Sequence, residues 1–501
     1  MESLQELAAR ALQDDPRRPV IEFEGRWFTR DALRRVADRL SGLLAASGIA
    51  AKGPVCLISR NHPAVIAALL GLIREGRSVR MVYPFQAPSG IVRDLKRLEP
   101  AAFILTANDL SAEVADVLGE DGIAAIVLDG MDVRDGPGRG KAGPAAAARS
   151  FEGEPQIEIL TSGTTGAPRQ FAVRYDMIRR HHVAGGLTRP KLEAGQDLPP
   201  YLLYMPIGNI SGIYTTLPVL LNGQRARLLE RFSIAAWVEY VKTYRPEAHG
   251  VPPSMMQLLL EAKIPKEDLS SLKSMGSGAA PLDPTVQAAF EDHYGIPVLV
   301  SYGATEFGGP VAGMTLELHK EFGRKKLGTV GRKFPGCDIR IVDPQDAHVL
   351  GPNEEGLLEV LAPRMQPEWI RTSDIGRIDQ EGFLFLRGRA DGAITRGGFK
   401  ILPETIERAL LLHPAVVETA VVGVPDRRLG EVPGAAIRLD PGVPAPGREE
   451  LSKHLRQHVL ATHIPIHWRF VDELPRNPSM KIDRPGVKRL FEREHDPSGT
   501  P

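Results

Sequence analysis

Between residues 55 and 301 the chain repeatedly sets a short apolar run between Gly, Pro or polar turns: VCLIS (55–59), AFILT (102–106), AAIVL (124–128), QIEILT (156–161), YLLYM (201–205) and PVLVS (297–301). Such short, continuous runs suit strands covered on both faces better than strands with one wet face. Amphipathic stretches separate them. Residues 30–47, for example, bring Leu33, Val36, Ala37, Leu40, Leu43 and Leu44 onto one helical face. The alternation predicts an α/β architecture with buried, largely parallel sheets.

At 501 residues the chain exceeds what one hydrophobic core usually supports, so two or more domains are expected. The pattern changes near residue 390. GFLFLRGRADG closes a run of antiparallel strands, and a unit of about 110 residues follows, with a helix near 403–412 and strands near 418–423 and 434–438. We therefore expect domains at 1–390 and 391–501. The Gly-, Ala- and Pro-rich stretch 134–155 reads as an exposed connection and 185–200 as a second loop. No repeat of about 20–50 residues is visible.

Lysine and arginine total 62, as do aspartate and glutamate. No global field gathers nucleic acid or an anionic membrane, and any bound anion needs a local site. The two cysteines, Cys56 and Cys337, match no metal-ligand spacing and read as buried, reduced thiols. The N-terminus lacks the apolar region of a secretory signal, and no run of about 18 apolar residues occurs. A cytoplasmic protein without a membrane span is expected.

ILTSGTTGAPRQ carries the most chemistry. A strand-like run ends in the small residues Thr161, Ser162, Gly163, Thr164, Thr165 and Gly166, followed by Pro168 and Arg169. Glycines let the main chain approach an anion, hydroxyls add donors and the guanidinium adds charge, a set suited to a polyphosphate. An isolated run of this kind also suits a surface linker; the preceding strand and the following base favour the cradle. It is not a Walker loop, because Pro168 stands where the second glycine belongs. GSGAAPL (276–282) offers a partial G-x-G-x-x pattern, but Pro281 fills the sixth position and no clean strand–turn–helix context is expected around it.

TSGTTG, GSGAAPL, YGATE (302–306), WIRTSD (369–374), GRADGAITRGGFKILPETIE (388–407) and PRNPSMKIDR (475–484) together resemble, in order and spacing, the adenylate-forming superfamily. That superfamily comprises acyl-CoA synthetases, nonribosomal-peptide adenylation domains and firefly luciferase, and the likeness runs from about residue 5 to 490. It implies a large N-terminal domain of stacked, mainly parallel sheets with flanking helices and a β-barrel-like subdomain, followed by a small mobile α+β C-terminal domain. Activity by resemblance is ATP-dependent formation of an acyl-adenylate, then transfer of the acyl group to coenzyme A. The alternatives are a free-standing enzyme that loads a carrier-protein thiol or an amine, and a non-catalytic nucleotide-binding relic.

The same resemblance distributes roles. Lys481, Glu306 and Thr164 form the catalytic set, with Glu306 holding Mg2+ near the ATP phosphates. Thr161, Ser162, Gly163, Thr165, Gly166 and Arg169 cradle phosphate, while Gly278, Ala279, Ala280, Tyr302, Gly303 and Thr305 border the nucleotide, with Tyr302 stacking on adenine. Asp374 takes the ribose hydroxyls, assisted by Arg389. Asp391 is the hinge, and Gly398 and Lys400 line the thiol tunnel. Asn209, Ile213, Tyr214, His249 and Phe307 are implied for the acid pocket. Small and apolar residues dominate there, which favours an aromatic, alicyclic or medium aliphatic monocarboxylate over an amino acid. A homodimer stays open. Departures from the family pattern are Arg169 for lysine, Asn209 for a gating aromatic or histidine, Ser373 for glycine and Met480 for glycine. None removes a charge that adenylation needs, so an active enzyme is expected.

Overall fold

The computed structural model describes residues 2–84, 86–137, 142–143, 153–161, 169–184, 198–396, 399–477 and 481–492. Most of the connection expected at 134–155, and of the loop expected at 185–200, lies outside them. The chain divides into two units, Met1–Pro246 with Ala304–Gly309, and Glu247–Gly303 with Pro310–Pro501.

In the first unit a seven-stranded sheet is built on a parallel core, in which Val55–Ile58 pairs with both Val79–Val82 and Ala102–Thr106. Four of the expected apolar runs, at 55–59, 102–106, 124–128 and 156–161, supply strands of this sheet. Cys56, Ile58, Phe103, Leu105, Ala125 and Val127 face helices Pro88–Leu98 and Ala112–Glu120 through Ile91, Leu95, Val114 and Leu118. Helix Pro63–Arg74 is apolar and buried along nearly all its length, as a helix enclosed by its neighbours must be. It crosses helix Arg30–Ala46 so closely that a Cβ at Gly71 would stand 2.9 Å from Cβ of Ala37. A smaller four-stranded sheet joins Pro19–Phe23 and Arg26–Thr29 to Tyr201–Leu203 and Ala226–Leu228.

The strand Gln156–Thr161 turns back on Arg169–Arg174, with Thr161 opposite Arg169. Arg169 thus begins a strand rather than a helix, a second difference from a Walker motif beside Pro168.

In the second unit Ala248–Gly250, Ser274–Ser277 and Val298–Ala304 run parallel. Here the structure corrects one expectation: GSGAAPL does sit between a strand, Ser274–Ser277, and a helix, Pro284–Tyr294. The strand escapes notice because Ser-Met-Gly-Ser lacks branched residues and is set by its parallel neighbours. The helix begins with Asp283 accepting from the amide of Thr285 at 2.7 Å and Pro284 in the first turn. Strands Asp338–Val342, Gly356–Leu361, Trp369–Ile378 and Leu384–Arg389 form an antiparallel meander. Beyond it, Ile394–Arg396, Phe399–Ile401, Val416–Asp426, Gly430–Leu439 and His467–Phe470 make a further sheet. One face packs Val421, Ala435 and Ile437 on helices Pro403–Leu411 and Arg448–Leu455, and the other packs Ala420, Val422 and Ala436 on helix Arg484–Glu492.

Cys56 and Cys337 are buried and unbridged, and burial raises both thiols above their ordinary range. Among the described residues no helix is long and apolar enough to cross a membrane.

Candidate active site

Tyr302 lies in the strand Val298–Ala304, 9% exposed. Its hydroxyl donates to Oδ2 of Asp374 at 2.5 Å. Asp374 is carried by the meander strand Trp369–Ile378 directly opposite Arg389, whose Nη1 stands 3.8 Å from Oδ1. Thr372 orients the strand, accepting from the amide of Asp374 at 3.0 Å and donating to the carbonyl of Leu358 at 2.8 Å. Arg389 forks onto Asp391 through Nε at 2.9 Å and Nη2 at 2.8 Å, and also donates to Ser373. The serine that replaces the expected glycine thus has a partner. Four residues assigned separately from the sequence, Tyr302, Asp374, Arg389 and Asp391, form one chain of polar contacts, hydrogen-bonded at both ends and joined in the middle by the ion pair of Asp374 with Arg389.

Burial first, and then the charge and hydrogen bond of Asp374, push the Tyr302 phenol well above its usual range. It remains a neutral donor at every working pH. The fork to Asp391 raises the Arg389 guanidinium. A stability prediction follows. The Tyr302 contribution is complete below the ordinary phenol value of about 10 and is lost as pH rises through the elevated folded value. Tyr302→Phe is expected to flatten part of the alkaline fall in thermal stability and to leave the curve below about pH 9 parallel to that of the parent. Melting curves across pH check this; an unchanged alkaline slope rejects it.

Next to this chain lies the turn after Ser277. A Cβ on Gly278 would meet Oγ of Ser301 at 2.8 Å, and Ala279 adopts φ +68°, so the backbone is drawn tightly onto the neighbouring strand. The Ser277 hydroxyl is 5% exposed and has no hydrogen-bond partner among the described residues. A buried donor without a partner is costly. Sequence reasoning missed Ser277, although the only signal was its place inside GSGAA. His249 is buried on the adjacent strand, in register with Met275.

In the first unit, Thr305, Glu306 and Phe307 form a short turn, Glu306 exposed and Phe307 buried. Among the described residues the one group of three spaced to share an ion is Asp343, Asp346 and His348, and Glu306 is not part of it. A single exposed carboxylate without further protein ligands fits Mg2+ that draws its remaining ligands from phosphate and water. Nε2–H of His182, in the π-helical segment Ile178–Val183, donates to the carbonyl of Gly308 at 2.8 Å. The His182 ring meets Tyr214 edge-on at 6.0 Å, and burial pushes the Tyr214 phenol up to about 12. Gly309 takes φ +124°, a value only glycine holds easily. Ile213 is fully enclosed in helix Ile210–Leu221. Asn209 precedes that helix but makes no side-chain cap; its Oδ1 accepts from the Tyr83 hydroxyl instead.

Lys481 is exposed. The Asn477 amide donates to the Lys481 carbonyl at 2.8 Å, and the Lys481 amide donates to Oδ1 of Asn477 at 3.0 Å. Arg476 and Ile482 bridge below it. Asn477, which sequence reasoning also missed, bonds the Lys481 main chain on both its amide and its carbonyl. Ser162, Gly163, Thr164, Thr165, Gly166, Gly398 and Met480 lie outside the described residues. Thr161, Arg169 and Lys400 are described in their backbone alone.

Residues 8–366 match the AMP-binding enzyme family, and residues 405–481 match the AMP-binding enzyme C-terminal domain. The chain belongs to the AMP-binding enzyme family. This is the adenylate-forming superfamily indicated by the motifs. The AMP-binding enzyme is 28% identical over 500 residues to a 2-succinylbenzoate–CoA ligase of Bacillus pumilus (strain SAFR-032), covering 96% of this chain and 97% of the relative. It is 27% identical over 501 residues to 4-coumarate–CoA ligase 3 of Oryza sativa subsp. japonica, covering 93% and 87%. Its fold superposes on ATP-bound MatB from Rhodopseudomonas palustris with a TM-score of 0.79 at 22% identity, covering 99% of this chain and all of the other.

Proposed function

We propose that this AMP-binding enzyme is an AMP-forming acid–thiol ligase. An acid carboxylate attacks the α-phosphorus of ATP and the bond to the β-phosphate breaks, releasing pyrophosphate. The coenzyme A sulfur, giving up its proton, then attacks the acyl carbonyl; the acyl–phosphate bond breaks and AMP leaves. Two near-full-length relatives named as CoA ligases support the reading. The observation that carries it is the cluster of Tyr302, hydrogen-bonded to Asp374, and Arg389, ion-paired with it: a carboxylate with two oxygens, held between a neutral phenol and a guanidinium, suits the paired hydroxyls of a ribose. The buried Ser277 hydroxyl beside it supplies a further donor.

In this reading Thr161–Gly166 and Arg169 hold the phosphates and Lys481 neutralises the carboxylate and α-phosphate as they meet. Glu306 holds Mg2+, which, when bound, screens the phosphate charge. Asn209, Tyr214, His249 and Phe307 border the acid, which is an aromatic, alicyclic or medium aliphatic monocarboxylate. Residues 1–390 and 391–501 are the two domains, and a core drawn only from residues 394 to 491 supports the second. Rotation about Asp391 exchanges Lys481 for the thiol tunnel at Gly398 and Lys400. The enzyme works in the cytoplasm, where ATP and coenzyme A are plentiful.

Acid-dependent exchange of radiolabelled pyrophosphate into ATP, followed by mass analysis of the product with coenzyme A, a phosphopantetheinylated carrier or amines, tests this. Exchange with at least one monocarboxylate and an acyl-CoA product are expected; no exchange across a broad acid panel ends the proposal. Because Asp391 is tied to Arg389, Asp391→Ala is expected to change thioester formation by about tenfold or more while exchange moves only a few-fold. Equal effects on both half-reactions count against a hinge role.

A further inference from the structure

We propose that the tripeptide Ser59-Arg60-Asn61 is a positioning corner for acid selection, holding Tyr83 and Asn209 together as a selectivity contact. The inference rests on the ligase reading and names the residues that discriminate among its acids. The corner follows the strand Val55–Ile58. Asn61 is 4% exposed. Its Nδ2 donates to the carbonyls of Met205 and Leu229, both at 3.2 Å, and its Oδ1 accepts from the amide of Ile207 at 3.1 Å. One side chain thus stitches the loop Met205–Asn209 to the end of the strand Ala226–Leu228.

Ser59 fixes both partners of the Tyr83–Asn209 hydrogen bond. Its amide and its hydroxyl each donate to the carbonyl of Val82 at 2.9 Å, immediately before Tyr83. Gly208, immediately before Asn209, lies against the same serine, where a Cβ would come within 2.2 Å of its Oγ. Arg60 is turned away into Asp109, at 2.7 and 2.6 Å, and Glu230, at 2.9 Å, and so anchors the corner without entering the loop. The Asn209 amide donates to the carbonyl of Pro206 at 2.9 Å, which closes the loop on itself.

The Asn209 side chain stands at a helix N-terminus, where asparagine ordinarily caps. Here the corner holds Tyr83 within reach, and the side-chain oxygen goes to the phenol instead. If the corner is loosened, Asn209 returns to capping helix Ile210–Leu221 and the polar contact beside the acid is lost. The residue in this position therefore acts on acid choice through its placement, and Asn61 and Ser59 act through it.

The test is pyrophosphate exchange over a panel of monocarboxylates with parent enzyme, Asn61→Ala, Tyr83→Phe, Asn209→Ala and the double variant Asn61→Ala/Asn209→Ala. Asn61→Ala is expected to raise the acid KM roughly tenfold or more and reorder the acids, with the ATP KM within about threefold. Tyr83→Phe and Asn209→Ala are expected to give the same reordering, and the double variant to be no worse than its worse parent, the signature of residues acting through one contact. Parallel rises in acid and ATP KM, or an acid ranking unchanged from the parent, overturn the proposal. Should Asn61→Ala fail to fold, Tyr83→Phe decides: an unchanged ranking overturns it. A parent enzyme that exchanges with no acid removes the ligase reading and this one with it, whereas exchange in the parent with unaltered ranking in Tyr83→Phe removes this one alone.

Discussion

Lys481→Ala is expected to lower acid-dependent pyrophosphate exchange by about 10²–10³-fold in kcat, the usual effect of deleting one group aimed at developing transition-state charge. The attack joins a carboxylate to an α-phosphate, so two anions must come together in a site whose other named charges are Arg169 and Arg389. Thioester formation from a supplied acyl-adenylate and coenzyme A is expected to stay within a few-fold, because the ammonium has no anion pair to neutralise in that step. Stopped-flow or quench measurements of the two half-reactions separate the cases; equal loss in both shows Lys481 to be structural, and undiminished exchange removes it from the reaction.

Asp374→Ala carries the second large effect. A carboxylate that accepts two ribose hydroxyls supplies two charge-assisted bonds, each worth about 1.5–3 kcal/mol, so the ATP KM should rise on the order of 100-fold or more at about 1.4 kcal/mol per tenfold. The acid KM should hardly move. The same change leaves the Tyr302 hydroxyl buried without its acceptor, and the melting temperature should fall as well. Asp374→Asn keeps an acceptor for Tyr302 and should restore most of the stability but not the ATP affinity, which separates nucleotide binding from folding. An ATP KM that stays near the parent value in both variants eliminates Asp374 as the ribose ligand.

The strands were legible wherever burial on two faces demanded unbroken apolar residues, as at Val55–Ile58 and Ala102–Thr106. The strand that leads into GSGAAPL was not, because Ser274–Ser277 owes its conformation to parallel neighbours at Ala248–Gly250 and Val298–Ala304, and a four-residue run with Met275 as its one large apolar side chain carries no periodicity of its own. Motif order brought Tyr302, Asp374, Arg389 and Asp391 into view singly. Their joining depends on the register that sets Asp374 opposite Arg389, which no local pattern encodes. Asn209 shows the same limit. Its neighbours in sequence suggest a helix cap, while its partner Tyr83 is 126 residues away. Asn61 and Ser277 look like ordinary loop polar residues until their burial is known.

Arg389 grips Asp391 with two parallel bonds while lying within reach of Asp374, so a single planar cation is shared between two carboxylates. Torsion of the backbone at residue 391 must unfasten that cation or drag it along, and on the proposed reading a nucleotide seated on Asp374 alters how firmly it is fastened. The proposed order of half-reactions would then rest on a clutch of three side chains, engaged or slipping according to what the adjoining carboxylate holds.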